Sequence, residues 1–159
     1  MSNPRPNKRR QVRERVLQAI YAYEASEDSV DHILATLIRP AFKDDRTYLR
    51  FAERLFLLTA DTRHEADVLI DKHIENWDLN RLARTDRYVL WMAITEFLQF
   101  PDIPPKVSLN EAVEVARAFG TDKSASFVNG VLDAVLRELR QSDRLKKTGR
   151  GLVETSTKS

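Results

Sequence analysis

An all-α fold is predicted for this 159-residue chain by three observations. Apolar residues return at helical spacing in one stretch after another, and no segment shows the period-two alternation of a half-buried strand. The breaks between the stretches are of the kind that end and begin helices: Ser26-Glu-Asp-Ser29, Arg39-Pro40, the proline-rich run Phe100 to Lys106, and Gly120.

The elements follow in order. Residues 1–7 hold two prolines and two asparagines and are expected to form a flexible arm. From Lys8 to Ala25, Val12, Val16, Ala19, Ile20 and Tyr23 form one apolar stripe. Arg9 and Arg13 lie beside it with Arg10 around the corner, a guanidinium cluster suited to phosphates or base edges. On the opposite face, Leu17 and Tyr21 form either a protein-contact surface or a patch covered by a neighbouring segment. Val30 to Ile38 makes a short helix that stops at Pro40. From Asp44 to about Asn76 no glycine or proline intervenes, and the resulting rod, roughly 48 Å at 1.5 Å per residue, is long enough to join two sub-bundles. A kink near Ala60–Thr62 and a turn at Asn76-Trp-Asp-Leu-Asn80 are expected.

Thr85 or Asp86 is then expected to open an apolar helix through Leu98, whose wide apolar face implies a central, buried position. The segment from Phe100 to Lys106 reads as a rigid connector. Ser108 and Glu111 have capping-box spacing ahead of Leu109, Ala112, Val113 and Ala116. Gly120 suits a left-handed position past the helix end, and Thr121 or Asp122 can cap the last helix, where Val128, Val131, Leu132, Val135 and Leu139 share one stripe. Phe127 lies at that stripe's edge on the side of Lys123 and Gly130. It is either a base-stacking platform or the rim of the core. Residues 143–159 lose the apolar period and are expected to be a disordered basic tail.

Composition narrows the function. The absence of cysteine excludes disulfides and thiolate metal sites and fits a cytoplasmic protein. No apolar run approaches the ~18 residues of a membrane span. Residues 1–15 carry six basic residues against Glu14 alone, residues 137–159 carry seven against three acids, and the body between is acidic. Basic ends on an acidic body point to an anion held locally. No phosphate loop, nucleophile elbow or zinc-protease pattern is present, and His64-Glu65 lacks a second histidine at position 68. Asp61, His64, Asp67, Asp71 and Glu75 read as a solvated acidic face, because no matching ligand set for a metal stands on another helix. No catalytic residue, metal or cofactor is assigned. Nucleic-acid binding rests on Arg5, Lys8, Arg9, Arg10 and Arg13 with Lys123 and Phe127, and an aromatic of this kind favours unpaired bases.

Three blocks carry a resemblance: Arg13-Glu-Arg-Val-Leu-Gln-Ala-Ile-Tyr21, the run from Pro105 to Gly120 containing Asn110-Glu-Ala112, and Phe127-Val-Asn-Gly-Val-Leu-Asp133. In this order and spacing they resemble the NusB family of bacterial transcription antitermination factors, from about Lys8 to Leu139. The resemblance implies two packed three-helix bundles within 8–142, here about 8–76 and 77–142, and a non-enzymatic role. It implies binding to boxA-type single-stranded RNA of ribosomal RNA transcripts, with a small-subunit ribosomal protein acting as NusE, in the antitermination complex of RNA polymerase. Carried over by position, Arg9, Arg10, Arg13 and Phe127 are implied to contact RNA, and Tyr21 and Asp86 the ribosomal protein. Gln11 and Val12 interrupt the denser arginine run of the family, Lys123 replaces a frequent acid, and Trp91 stands where a basic residue is frequent. A helical protein-binding scaffold or a homodimer through the Tyr21 surface, without direct RNA binding, is the alternative.

Overall fold

The computed structural model describes residues 7–75 and 78–153. Arg5 and the rest of the N-terminal arm before Asn7, the centre of the turn at Asn76-Trp77, and residues 154–159 lie outside the described residues. Helix α1 spans Lys8–Ala25, α2 is one turn at Val30–Ile33 that runs into a π-helical turn at Leu34–Ile38, and α3 spans Arg46–Asp71. Helices α4 (Arg84–Gln99), α5 (Pro105–Phe119) and α6 (Asp122–Gln141) follow, with short 3₁₀ turns at Leu79–Arg81 and Gly149–Leu152. No strand occurs among the described residues, and the chain is all-helical as the periodicity predicts. It divides into two compact units, Met1–Leu57 and Leu58–Ser159, with the division falling inside α3.

In the first unit, Asn7 caps α1: its Oδ1 accepts from the backbone N–H groups of Arg9 (2.9 Å) and Arg10 (3.2 Å). The α1 stripe of Val12, Val16, Ala19 and Ile20 is buried. The helix packs on both α2 and the π-helical turn. Burial therefore covers a wider arc of α1 than one stripe, and of the two readings of Leu17, a protein-contact surface or cover by a neighbouring segment, the second holds: it is 3% exposed. Tyr21 does reach solvent, at 42% exposure. Tyr23 meets Phe56 edge to face, ring centres 6.0 Å apart.

In the second unit α4 is the central helix, buried continuously from Tyr88 to Phe97 and packed on both α5 and α6. Its start differs from expectation. The helix begins at Arg84 after Ala83, so Thr85 and Asp86 lie within the first turn and neither is the cap. The capping-box reading of Ser108 is also corrected: Pro105, with its φ preset, takes the first helical position of α5, and Ser108 falls inside the helix. There it is buried, and its hydroxyl donates to Glu96 Oε1 at 2.7 Å, fastening α5 to α4.

Thr121 caps α6 as expected, its hydroxyl oxygen accepting from Ser124 N–H at 3.2 Å. Gly120, in contrast, has φ −130° and is not left-handed. Its need for glycine is close approach: a Cβ there would lie 2.6 Å from Ser124 Oγ and 2.9 Å from the carbonyl of Ala116. Every residue of the expected α6 stripe is buried.

The segment after α6, expected to be a disordered tail, is fixed as far as Val153. Lys147 is 9% exposed, and its ammonium donates to the carbonyls of Glu96 (3.1 Å) and Phe100 (2.8 Å), which end α4. Cations are favoured at that negative pole. Thr148 N–H donates to the carbonyl of Pro101 at 3.0 Å, and Arg144 pairs with Glu65 at 2.6 Å. No sequence period marks such a segment, because its partners are backbone carbonyls and one distant carboxylate.

Candidate nucleic-acid interface

The first cationic face is built at the start of α1, within the first unit. Lys8 and Arg9 are exposed and Arg10 is half-buried. The Lys8 ammonium lies 5.5 Å from the centre of the Tyr48 ring and 3.8 Å from Asp45. Arg9 and Arg13 both lie over Phe51, at 5.0 and 5.3 Å. Tyr48 and Phe51 are one helical turn apart on α3 and hold the cations against aromatic faces, which orients them at a low entropy cost. Arg13 is 3% exposed, so within the expected cluster Arg9 and Arg10 are the guanidinium groups that solvent reaches. The supporting role of Tyr48 and Phe51 leaves no mark in the sequence pattern, because their partners stand on another helix.

The second face belongs to the second unit. An open depression of ≈ 330 Å³ is lined by Arg81, Leu82, Asp86, Lys123, Ser124 and Phe127. Lys123 is exposed and Phe127 half-buried, so the aromatic is neither free-standing nor core. Nothing would meet a Cβ at Gly130, which leaves the helix surface beyond Phe127 open. Asp86, implied to face a protein partner, stands in the same depression as Lys123 and Phe127. Burial pushes its carboxyl above the usual range, opposed by a hydrogen bond with Ser124. Its Oδ1 is buried without a hydrogen-bond partner among the described residues.

Trp91 does not extend either face. It is buried, and its indole N–H donates to Asp67 Oδ1 at 2.6 Å. Arg87 holds the same carboxylate through Nε to Oδ1 (3.1 Å) and Nη2 to Oδ2 (2.7 Å), and its guanidinium lies 5.5 Å from the Trp91 ring centre. Trp91 thus packs and anchors, and Asp67 is withdrawn from the acidic face of α3. His73, for which no local pattern marks a partner, bonds Glu138 Oε1 at 2.7 Å, while Lys72 reaches Oε2 at 3.0 Å. Those bonds, His73 first, hold the Glu138 carboxyl below its usual range.

Taken by chemistry, each of these two faces sets cations and an aromatic side chain together on an all-helical scaffold, the class of surface that suits contacts to nucleic acid by charge and stacking. The sequence profile of the NusB family matches residues 10–137. The transcription antitermination protein NusB of Salinibacter ruber (strain DSM 13855 / M31) is 45% identical over 149 residues, spanning 94% of this chain and 93% of that protein. The structure of T. maritima NusB superposes with a TM-score of 0.74 at 34% identity, covering 87% of this chain and 94% of the other. A structure of antitermination factors NusB and NusE in complex with dsRNA matches at TM-score 0.73 and 19% identity, over 82% and 96% of the two chains, and shows the shared fold. The chain belongs to the NusB family.

Proposed function

We propose that the chain is a transcription antitermination factor that binds boxA-type single-stranded RNA of ribosomal RNA transcripts. It acts with a small-subunit ribosomal protein in the role of NusE, promotes read-through by RNA polymerase, and works in the cytoplasm without catalysis. The observation that carries this reading is the pairing of cation and aromatic on both faces: Lys8 and Arg9 over Tyr48 and Phe51, and Lys123 beside Phe127. Lys8, Arg9 and Arg10 supply phosphate contacts, with Arg5 joining them from the arm, and Phe127 stacks a base while Lys123 holds its phosphate. Arg13, being buried, sets the position of Phe51 and its neighbours. Tyr21, exposed in the first unit, and Asp86, in the second, are assigned to the protein partner.

In a fluorescence-anisotropy titration with boxA RNA, Arg9→Ala combined with Arg10→Ala weakens binding and lowers the salt slope by about 2, one unit for each phosphate no longer neutralised. Unchanged affinity and slope would remove these arginines from the interface. The exposure of Tyr21 also suits a homodimer or a protein scaffold. Sedimentation with and without the ribosomal protein separates these: a dimer that persists alone and ignores RNA favours the scaffold.

A further inference from the structure

Between the π-helical turn and α3, the loop leaves a depression of ≈ 290 Å³ in the first unit, walled by Lys8, Gln11, Phe42, Lys43, Asp44 and Tyr48 among others. Its neighbouring acid, Asp45, is committed to holding the loop. Asp45 Oδ1 accepts from Tyr48 N–H at 3.3 Å, its Oδ2 lies 3.8 Å from the Lys8 ammonium, and its own N–H donates to the carbonyl of Phe42 at 3.0 Å. Asp44 is exposed and makes no hydrogen bond or ion pair among the described residues. The depression therefore brings together an aromatic ring, two lysines and one uncommitted carboxylate.

These groups choose a ligand by their chemistry. A bare phosphate is disfavoured by the adjacent aspartates, whereas an ionised carboxylate accepts two parallel N–H bonds and donates none. Among the bases of single-stranded RNA, guanine alone offers two adjacent donors, N1–H and the 2-amino group, on its Watson–Crick edge. Adenine, cytosine and uracil each present an acceptor there. Single-stranded recognition works through such edges together with aromatic stacking. We propose that this depression takes one unpaired guanine, its Watson–Crick edge on Asp44, its face against Tyr48 and Lys8, and an adjoining phosphate on Lys43. The inference rests on the RNA-binding reading above and adds to it a base preference at a site distinct from Phe127.

The test uses the full chain and single-stranded RNA oligonucleotides that are identical except at one scanned position, which carries guanine, inosine, adenine, cytosine or uracil. Inosine keeps N1–H and lacks the 2-amino group. At one register guanine is expected to bind on the order of ten-fold more tightly than the other four, the scale of one bidentate base contact. Asp44→Asn abolishes that preference and leaves the guanine-free oligonucleotides bound equally or more tightly, since one negative charge has gone. A preference that survives Asp44→Asn, a preference for another base, or none at any register overturns the guanine site while leaving RNA binding standing. Failure of the wild-type chain to bind any of these RNAs overturns both.

Discussion

At the scale of single residues, Phe127 is the most telling. It is half-buried and lines an open depression, so Phe127→Ala is expected to lose about 1–3 kcal/mol of RNA binding, the worth of one stacked base, with a smaller loss of stability. Anisotropy and thermal melting of the same variant give both numbers, and a collapse of melting temperature with affinity intact would make the ring core. Asp86 makes the opposite kind of statement. A carboxyl whose folded pKa is raised contributes stability below its unfolded pKa and loses it as pH rises through the folded value, because burial opposes the charge. Asp86→Asn is therefore expected to raise the melting temperature at neutral pH and to leave it nearly unchanged in acid. Melting curves across that range decide it. The stripe of α6 and the edge position of Phe127 were legible in the sequence, since both follow from 100° per residue. The choice between exposure and cover for Leu17 was not, because it depends on how α2 and the π-helical turn meet α1. The bond between His73 and Glu138 was not either, since its partners stand 65 residues apart.

At the scale of elements, the C-terminal segment fastens the end of α4. Lys147→Met leaves the carbonyls of Glu96 and Phe100 without their charged donor and is expected to cost about 1–3 kcal/mol. Gly151→Ala reaches the same place by another route: a Cβ there would lie 2.0 Å from the carbonyl oxygen of Pro101, so the segment must lift. Both variants should speed amide hydrogen exchange around Phe100–Ile103 while α6 keeps its protection, and unchanged exchange there would show the segment to be ornamental. The Glu138 carboxylate, bonded by His73 at one oxygen and accepting from Lys72 at the other, joins α6 to the end of α3 in the same unit. Its depressed carboxyl contributes stability above the unfolded glutamate pKa, which disappears as pH falls through the folded one. Glu138→Gln should accordingly flatten the acid limb of the stability profile, as read from denaturant midpoints between neutral and acid pH. Helix existence was legible throughout, whereas helix starts were misread at α4 and α5. Thr85, Asp86 and Ser108 have the chemistry of caps, but Ala83 and Pro104 occupy those positions, and Ser108 is left to bond Glu96 on α4.

At the scale of the whole molecule, the basic ends pointed to an anionic partner, which the proposed function takes up, and the three sequence blocks pointed to the family to which the chain belongs. What sequence did not disclose is how the cations are presented. Arg9 and Arg13 lie on Phe51, Lys8 on Tyr48, and Asp86 shares a depression with Lys123 and Phe127. Those pairings join positions tens of residues apart, and no local period encodes them. The proposed function requires that both cation–aromatic faces contact RNA. That requirement is met or broken in an anisotropy titration of boxA RNA, over a series of salt concentrations, with the wild-type chain, Arg9→Ala/Arg10→Ala, Phe127→Ala and the triple variant. The arginine pair is expected to lower the salt slope, Phe127→Ala to weaken binding with the slope unchanged, and the triple variant to show both effects. Wild-type affinity and slope in either of the first two variants would contradict it.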